Sequence, residues 1–171
     1  MRKLLIIAGI VAVAIAAARM NDVKIVELKD GIVRIETKGY SFEIPKEWTV
    51  GKETPWGARD IKSTTAGGKL GTMTANAQSE TWDSLYRTSL YFITREEKGE
   101  PTPYRQITSK MGYEGIAFEV LDEKQYAKRR FVLIKNKEGR ALALSVDIKN
   151  PKDEKKILQA FDRMVDTATI R

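Results

Sequence analysis

A chain of 171 residues has room for one domain of ordinary size, and a make-up of 42% hydrophobic and 31% charged residues excludes a disordered chain. The formal charge of +7 is mildly basic, enough to favour anionic surfaces without demanding nucleic acid. There is no Cys and no His, which removes disulfides, thiolate chemistry, the commonest general base and the commonest zinc ligand. Every His-dependent triad is excluded with them.

Arg2 and Lys3 precede fifteen residues, 4–18, without a charged or strongly polar side chain, and Arg19 follows. This is the order of a secretory leader, and Ala14-Ile15-Ala16 and Ala16-Ala17-Ala18 offer the small residues that a signal peptidase cuts after. As a helix the run would rise about 22 Å, short of a hydrocarbon core of roughly 30 Å. Residues 1–18 are therefore expected to be an apolar helix serving as a signal peptide. If uncleaved, they make a membrane anchor whose flanking basic side chains reach the interfaces. Either way the bulk of the chain is expected outside the cytoplasm, periplasmic or at the cell surface. Without the leader, 28 basic residues face 23 acidic ones.

Residues 24–29 and 32–37 flank Asp30-Gly31, the sequence of a tight hairpin. A short strand follows at 40–44, stopped by Pro45, with Trp48 in the next loop. Residues 58–65 and 71–79 form a second strand pair around Ala66-Gly67-Gly68. The first helix of the soluble part is expected at 82–97, with Trp82, Leu85, Ser89, Phe92 and Ile93 on one face. Strands are then expected at 105–110, 113–121, 126–136 and 141–148. In the third of these, Phe131-Val132-Leu133-Ile134 is apolar without alternation, which implies burial on both faces. The closing helix starts at the Asn150 cap with Pro151 in its first position and runs to Thr169. Its apolar stripe is Ile157, Leu158, Phe161, Val165 and Ala168. The fold class is α+β, an antiparallel sheet with helices packed on its faces.

The stretch Tyr40-Ser41-Phe42-Glu43-Ile44-Pro45-Lys46-Glu47-Trp48 resembles the opening strand–Pro–x–x–Trp step of the PsbP/Mog1/DcrB-like family. The mid-chain helix, Gly112-Tyr113-Glu114-Gly115 before paired strands, and the closing helix continue the likeness over residues 39–171. The resemblance implies an α-β-α sandwich with a non-enzymatic accessory, assembly or binding role, often exported. Residues 19–38 then form an extra N-terminal hairpin.

Few residues suggest chemistry. Ala66-Gly67-Gly68-Lys69-Leu70 looks like a fragment of a phosphate loop, but Ser63 and Leu70 stand where the motif needs Gly and a hydroxyl. A flexible turn accounts for it better. Glu80 with Asp83 and Asp122 with Glu123 are carboxylate pairs of the kind found at helix starts and turns. There is no calcium loop and no Ser-x-x-Lys. No cofactor or metal is expected, and a Ser–Lys or carboxylate hydrolase is the enzyme alternative.

Residues 124–140 are the unusual stretch: Lys124, Lys128, Arg129, Arg130, Lys135, Lys137 and Arg140 against a single acid, Glu138. Alternation places Lys128 and Arg130 on one sheet face and Arg129 and Lys135 on the other, so the charges belong near strand ends. They are the expected contact for an envelope protein or an anionic surface such as lipid or cell-wall polymer. Edge protection is the bland explanation. Nucleic acid is not expected, because the leader takes the chain out of the cytoplasm. Tyr40, Trp48 and Trp56 lie close in sequence and suggest either core packing or a shallow aromatic pocket.

Overall fold

The computed structural model describes residues 23–55, 57–96, 99–124 and 126–171. The expected apolar helix at 1–18 and Trp56 lie outside the described residues.

The first strands, β1 (Lys24–Glu27) and β2 (Ile32–Glu36), are joined by the turn read from Asp30-Gly31. Both turn residues have positive φ, 60° and 70°, which Gly adopts freely and a short polar Asp tolerates. Strand β2 pairs next with β3 (Tyr40–Pro45), and the two-residue β12 (Thr169–Ile170) pairs with the other side of β3. These four strands make a small antiparallel sheet. The hairpin is joined to the rest by more than its backbone: Val33 and Ile35 lie in one core with Tyr40, Phe42 and Ile44.

A larger sheet begins with β4 (Trp48–Val50), β5 (Ala58–Ser63) and β6 (Gly68–Asn76). Helix α1 (Trp82–Glu96) separates these from β7 (Glu100–Pro101), β8 (Arg105–Thr108), β9 (Glu114–Leu121), β10 (Ala127–Lys135) and β11 (Arg140–Ile148). The spatial order is β4-β5-β6-β11-β10-β9-β7, with β8 also on β9, and every pairing is antiparallel. The pairs β4–β5 and β7–β9 and strand β12 are additions to the strands expected from sequence. Each is two or three residues long, too short to show a period. Strand β6 also starts three residues earlier than expected, because Gly68 and Lys69 pair with Ile148 and Asp147.

Alternation along β10 behaves as its apolar run implied. Phe131 and Leu133 meet Ile116, Phe118 and Val120 beneath α1, while Val132 and Ile134 belong to the core on the opposite face. Helix α1 presents Trp82, Leu85, Tyr86, Leu90 and Ile93 to the sheet. Phe92, expected on that face, is 59% exposed, because the helix is rotated so that Tyr86 reaches Tyr104 and Phe118 at centroid distances of 5.1 and 5.0 Å.

The second helix, α2 (Glu154–Thr167), follows a 3₁₀ turn at Pro151–Asp153, where the Asn150 side chain accepts the Lys152 N–H at 3.1 Å. It buries Ile157, Ala160, Phe161 and Met164 against β3, β11 and β6. Leu158 and Val165 flank this stripe rather than form it. The helix stops two residues earlier than expected. Ala168 turns extended at φ −62° and ψ 129°, and the hydroxyls of Ser41 and Thr169 bond at 2.6 Å to hold β12 on β3.

Phe161 is a full-sized anchor of this packing. Phe161→Ala is expected to cost roughly 3–5 kcal/mol, typical of a buried aromatic. For a domain of this size that is a fall of about 10 °C in the thermal midpoint. A midpoint unchanged by calorimetry would show that α2 does not pack as described.

Candidate functional site

Strand β10 carries the basic run from one end of the large sheet to the other. At a rise of about 3.3 Å per residue, Lys128 and Lys135 stand about 23 Å apart. The seven charges therefore form two groups rather than one patch. At the first end, Lys124 and Lys128 border an open cleft with Glu100, Asp122 and Glu123, so the charge there is mixed. Arg130 faces its cross-strand partner Glu119, with Nε 3.0 Å from Oε1, and the Arg129 guanidinium lies 5.2 Å from the centre of the Phe131 ring.

At the second end, Lys135 lies 4.9 Å from the centre of the Trp82 ring and donates to the Glu80 carbonyl at 3.0 Å. Arg140 donates to the Arg171 carbonyl and pairs with Glu138. Lys137 stands exposed at the tip of the β10–β11 turn. Arg129, Arg130, Lys135 and Arg140 thus hold the fold together, and Lys124 and Lys137 reach freely into solvent.

The aromatic group separates too. Tyr40 and Trp48 are 2% and 3% exposed, packed as core, so neither ring is open to a ligand. Tyr40 stacks on Phe42 at 5.9 Å, and its hydroxyl shares a hydrogen bond of 2.8 Å with the Thr72 hydroxyl. The Trp48 ring N–H is buried with no acceptor among the described residues.

Beside Tyr40 lies a residue the sequence reading passed over. Arg59 is 2% exposed, on the same face of β5 as Ile61. Its guanidinium donates to the Gly51 carbonyl at 3.2 Å and pairs with the Glu53 carboxylate, whose side chain is partly in water. Strict alternation through Ala58-Arg59-Asp60-Ile61-Lys62 could have shown that Arg59 points inward with Ile61. Burial pushes the Tyr40 hydroxyl above its ordinary value near 10. The Thr72 hydrogen bond and the Arg59 charge pull it part of the way back.

A cleft of about 410 Å³ opens between α2 and β8–β10. Val132, Ile107, Phe161 and Val165 line it, with Arg105 and Arg130 on the strands and Asp162 on the helix. The glycine turn that resembled a phosphate loop is engaged within the fold: the Gly67 N–H donates to the Asp153 carboxylate at 2.9 Å, and Gly68, Lys69 and Leu70 are part of β6. Among the described residues no group of three or more acids is placed to hold a metal ion.

The chain is similar to the solution structure of cyanobacterial PsbP (CyanoP) from Synechocystis sp. PCC 6803, with a TM-score of 0.55 and 14% identity over 88% of this chain and 93% of that one. The fold is PsbP-like. A Pseudomonas aeruginosa protein of unknown function matches more loosely, with a TM-score of 0.40 and 13% identity over 84% of this chain and 96% of that one. No family model and no curated protein matches the sequence. A PsbP-like fold agrees with the resemblance read from residues 40–48 and with antiparallel sheets carrying two helices.

Two outcomes test this geometry. Arg130→Glu sets two carboxylates directly opposite across β9 and β10 and should lower the thermal midpoint, whereas Lys137→Glu should leave it unchanged. Equal midpoints would show that Arg130 is surface charge alone. For Tyr40, the folded chain holds its proton more tightly than the unfolded chain does. That stability is complete below about pH 10 and is lost as pH rises through the raised folded value. Tyr40→Phe should therefore lose less of its midpoint than the parent between about pH 9 and pH 11. Parallel losses would mean that the hydroxyl titrates freely.

Proposed function

We propose that this protein is a non-enzymatic binding or assembly factor that works on the outer side of a membrane. The observation that carries the reading is the order of its parts: Arg2-Lys3, fifteen apolar residues, then a PsbP-like domain. An accessory or binding role is what the resemblance to PsbP-like proteins implies. The lack of His and Cys supports it by removing the side chains that most hydrolases and redox enzymes of this size rely on. The partner is an envelope protein, met through exposed surface rather than a closed pocket.

A second reading, docking on anionic lipid or cell-wall polymer through the basic run, is favoured by the exposed Lys124 and Lys137. Because the run divides between two ends of the sheet, one flat surface can engage only one group at a time.

Export is tested with a reporter enzyme that is active only after crossing the membrane, fused after Arg171. An active fusion is the expected result. A fusion that is intact, expressed and inactive would sink the localisation. Crosslinking in intact membranes followed by recovery of the protein should then yield an envelope protein that is absent when the leader is deleted.

A further inference from the structure

The strand registers gather distant parts of the chain at one end of the molecule. Lys24, at the start of β1, lies opposite Glu36, and Glu36 lies opposite Ser41, which pairs with Thr169. Arg171 then reaches back: its N–H donates to the Gly39 carbonyl at 2.9 Å, and its guanidinium stands 3.6 Å from Glu36. Arg140 donates to the Arg171 carbonyl, which brings in the β10–β11 turn with Lys137. The β8–β9 turn joins them, because the Tyr113 hydroxyl accepts the Ile170 N–H at 3.1 Å and Lys110 pairs with Asp166.

The exposed tips at this end have a common character. Lys38 and Lys137 project from two of the turns with no ion pair among the described residues, and Met111 stands 50% exposed on the third. The acids nearby are largely engaged: Glu36 by Lys24 and Arg171, Glu138 by Arg140 and Asp166 by Lys110, leaving Glu114 exposed beside them. Two free ammonium groups and one flexible apolar side chain suit a layer of anionic headgroups over hydrocarbon.

The chain also leads from this end to the apolar run. Six residue steps separate Ala18 from Lys24, and whatever path they take they reach no more than about 22 Å. Residues 4–18, if held in a bilayer, therefore keep Lys24 within about 22 Å of its surface.

We propose that residues 4–18 stay as a membrane anchor and that the end bearing Lys24, Lys38, Met111 and Lys137 faces the anionic surface of that bilayer. This rests on the reading of the chain as lying on the outer side of a membrane and adds its orientation. The Lys124–Arg130 end, with exposed Tyr126 beside it, then points away from the bilayer toward partners.

Because the sequence holds no Cys, single labels can be placed at will. Full-length chains carrying Lys38→Cys, Lys137→Cys or Tyr126→Cys, each bearing one fluorophore, are reconstituted in phosphatidylglycerol/phosphatidylcholine vesicles containing a nitroxide on the lipid headgroup. Labels at 38 and 137 should be quenched several-fold and the label at 126 left bright. Quenching at 126 equal to that at 137 overturns the orientation. Protein that stays in solution overturns the anchor, while an active export fusion would still leave the outer-side reading standing. With the label kept at 111 (Met111→Cys), Lys38→Glu combined with Lys137→Glu should lower quenching in anionic vesicles and leave it unchanged in pure phosphatidylcholine. The same loss in both lipids, or in neither, overturns the anionic surface as the partner.

Discussion

Burial of β10 on both of its faces is the constraint from which the architecture follows. Four consecutive apolar side chains cannot be satisfied at a sheet edge or on a sheet covered on one side only. The strand is therefore flanked by β9 and β11, with α1 over Phe131 and Leu133 and α2 beneath Val132 and Ile134. The same constraint explains where the charge goes. Basic residues begin where the strand leaves its cover, at Lys128–Arg130 and again at Lys135, so a stretch continuous in sequence becomes two separated groups in space.

The small sheet closes the other half of the core and introduces its polar seam. Tyr40 from β3 meets Thr72 on β6, and Arg59 from β5 lies against them. A guanidinium this deeply buried stays charged at tolerable cost only while its hydrogen bonds are kept. Gly51 and Glu53 supply them from the segment between β4 and β5, which ties that segment to the core. Directional bonds at the seam also fix the lateral position of one sheet on the other, which apolar contact alone does not do.

How far the sequence revealed this depended on segment length and on how many residues shared a signal. The Asp30-Gly31 turn, the apolar run of β10 and the Asn150-Pro151 cap on the 3₁₀ turn ahead of α2 were legible because each rests on local stereochemistry or on several residues in phase. Strands β4, β7 and β12 were not, since two or three residues show no period and their pairing depends on partners far along the chain. Phe92 was placed on the buried face because it lies within one helical turn of the true one, and contacts of Tyr86 set the final rotation. Of the candidate site, the alternation that divides Arg129 from Arg130 was visible, but not the internal partners that occupy both. Arg59 was missed because a single charged residue in a strand reads as solvent-facing unless its neighbour Ile61 is known to be buried.

Strand β3 takes one neighbour from residues just before it and another from more than a hundred residues later, since Ser41 pairs with both Glu36 and Thr169. Contacts of such sequence separation are slow to form, because a long loop must close before any pairing energy is gained. While the chain is still being made, Ala168 and Thr169 are absent, so the small sheet has an open side and the core beneath α2 is unfinished. A chain built this way can complete its small sheet only after synthesis has passed Ile170, so its native state is reached after synthesis rather than in the course of it.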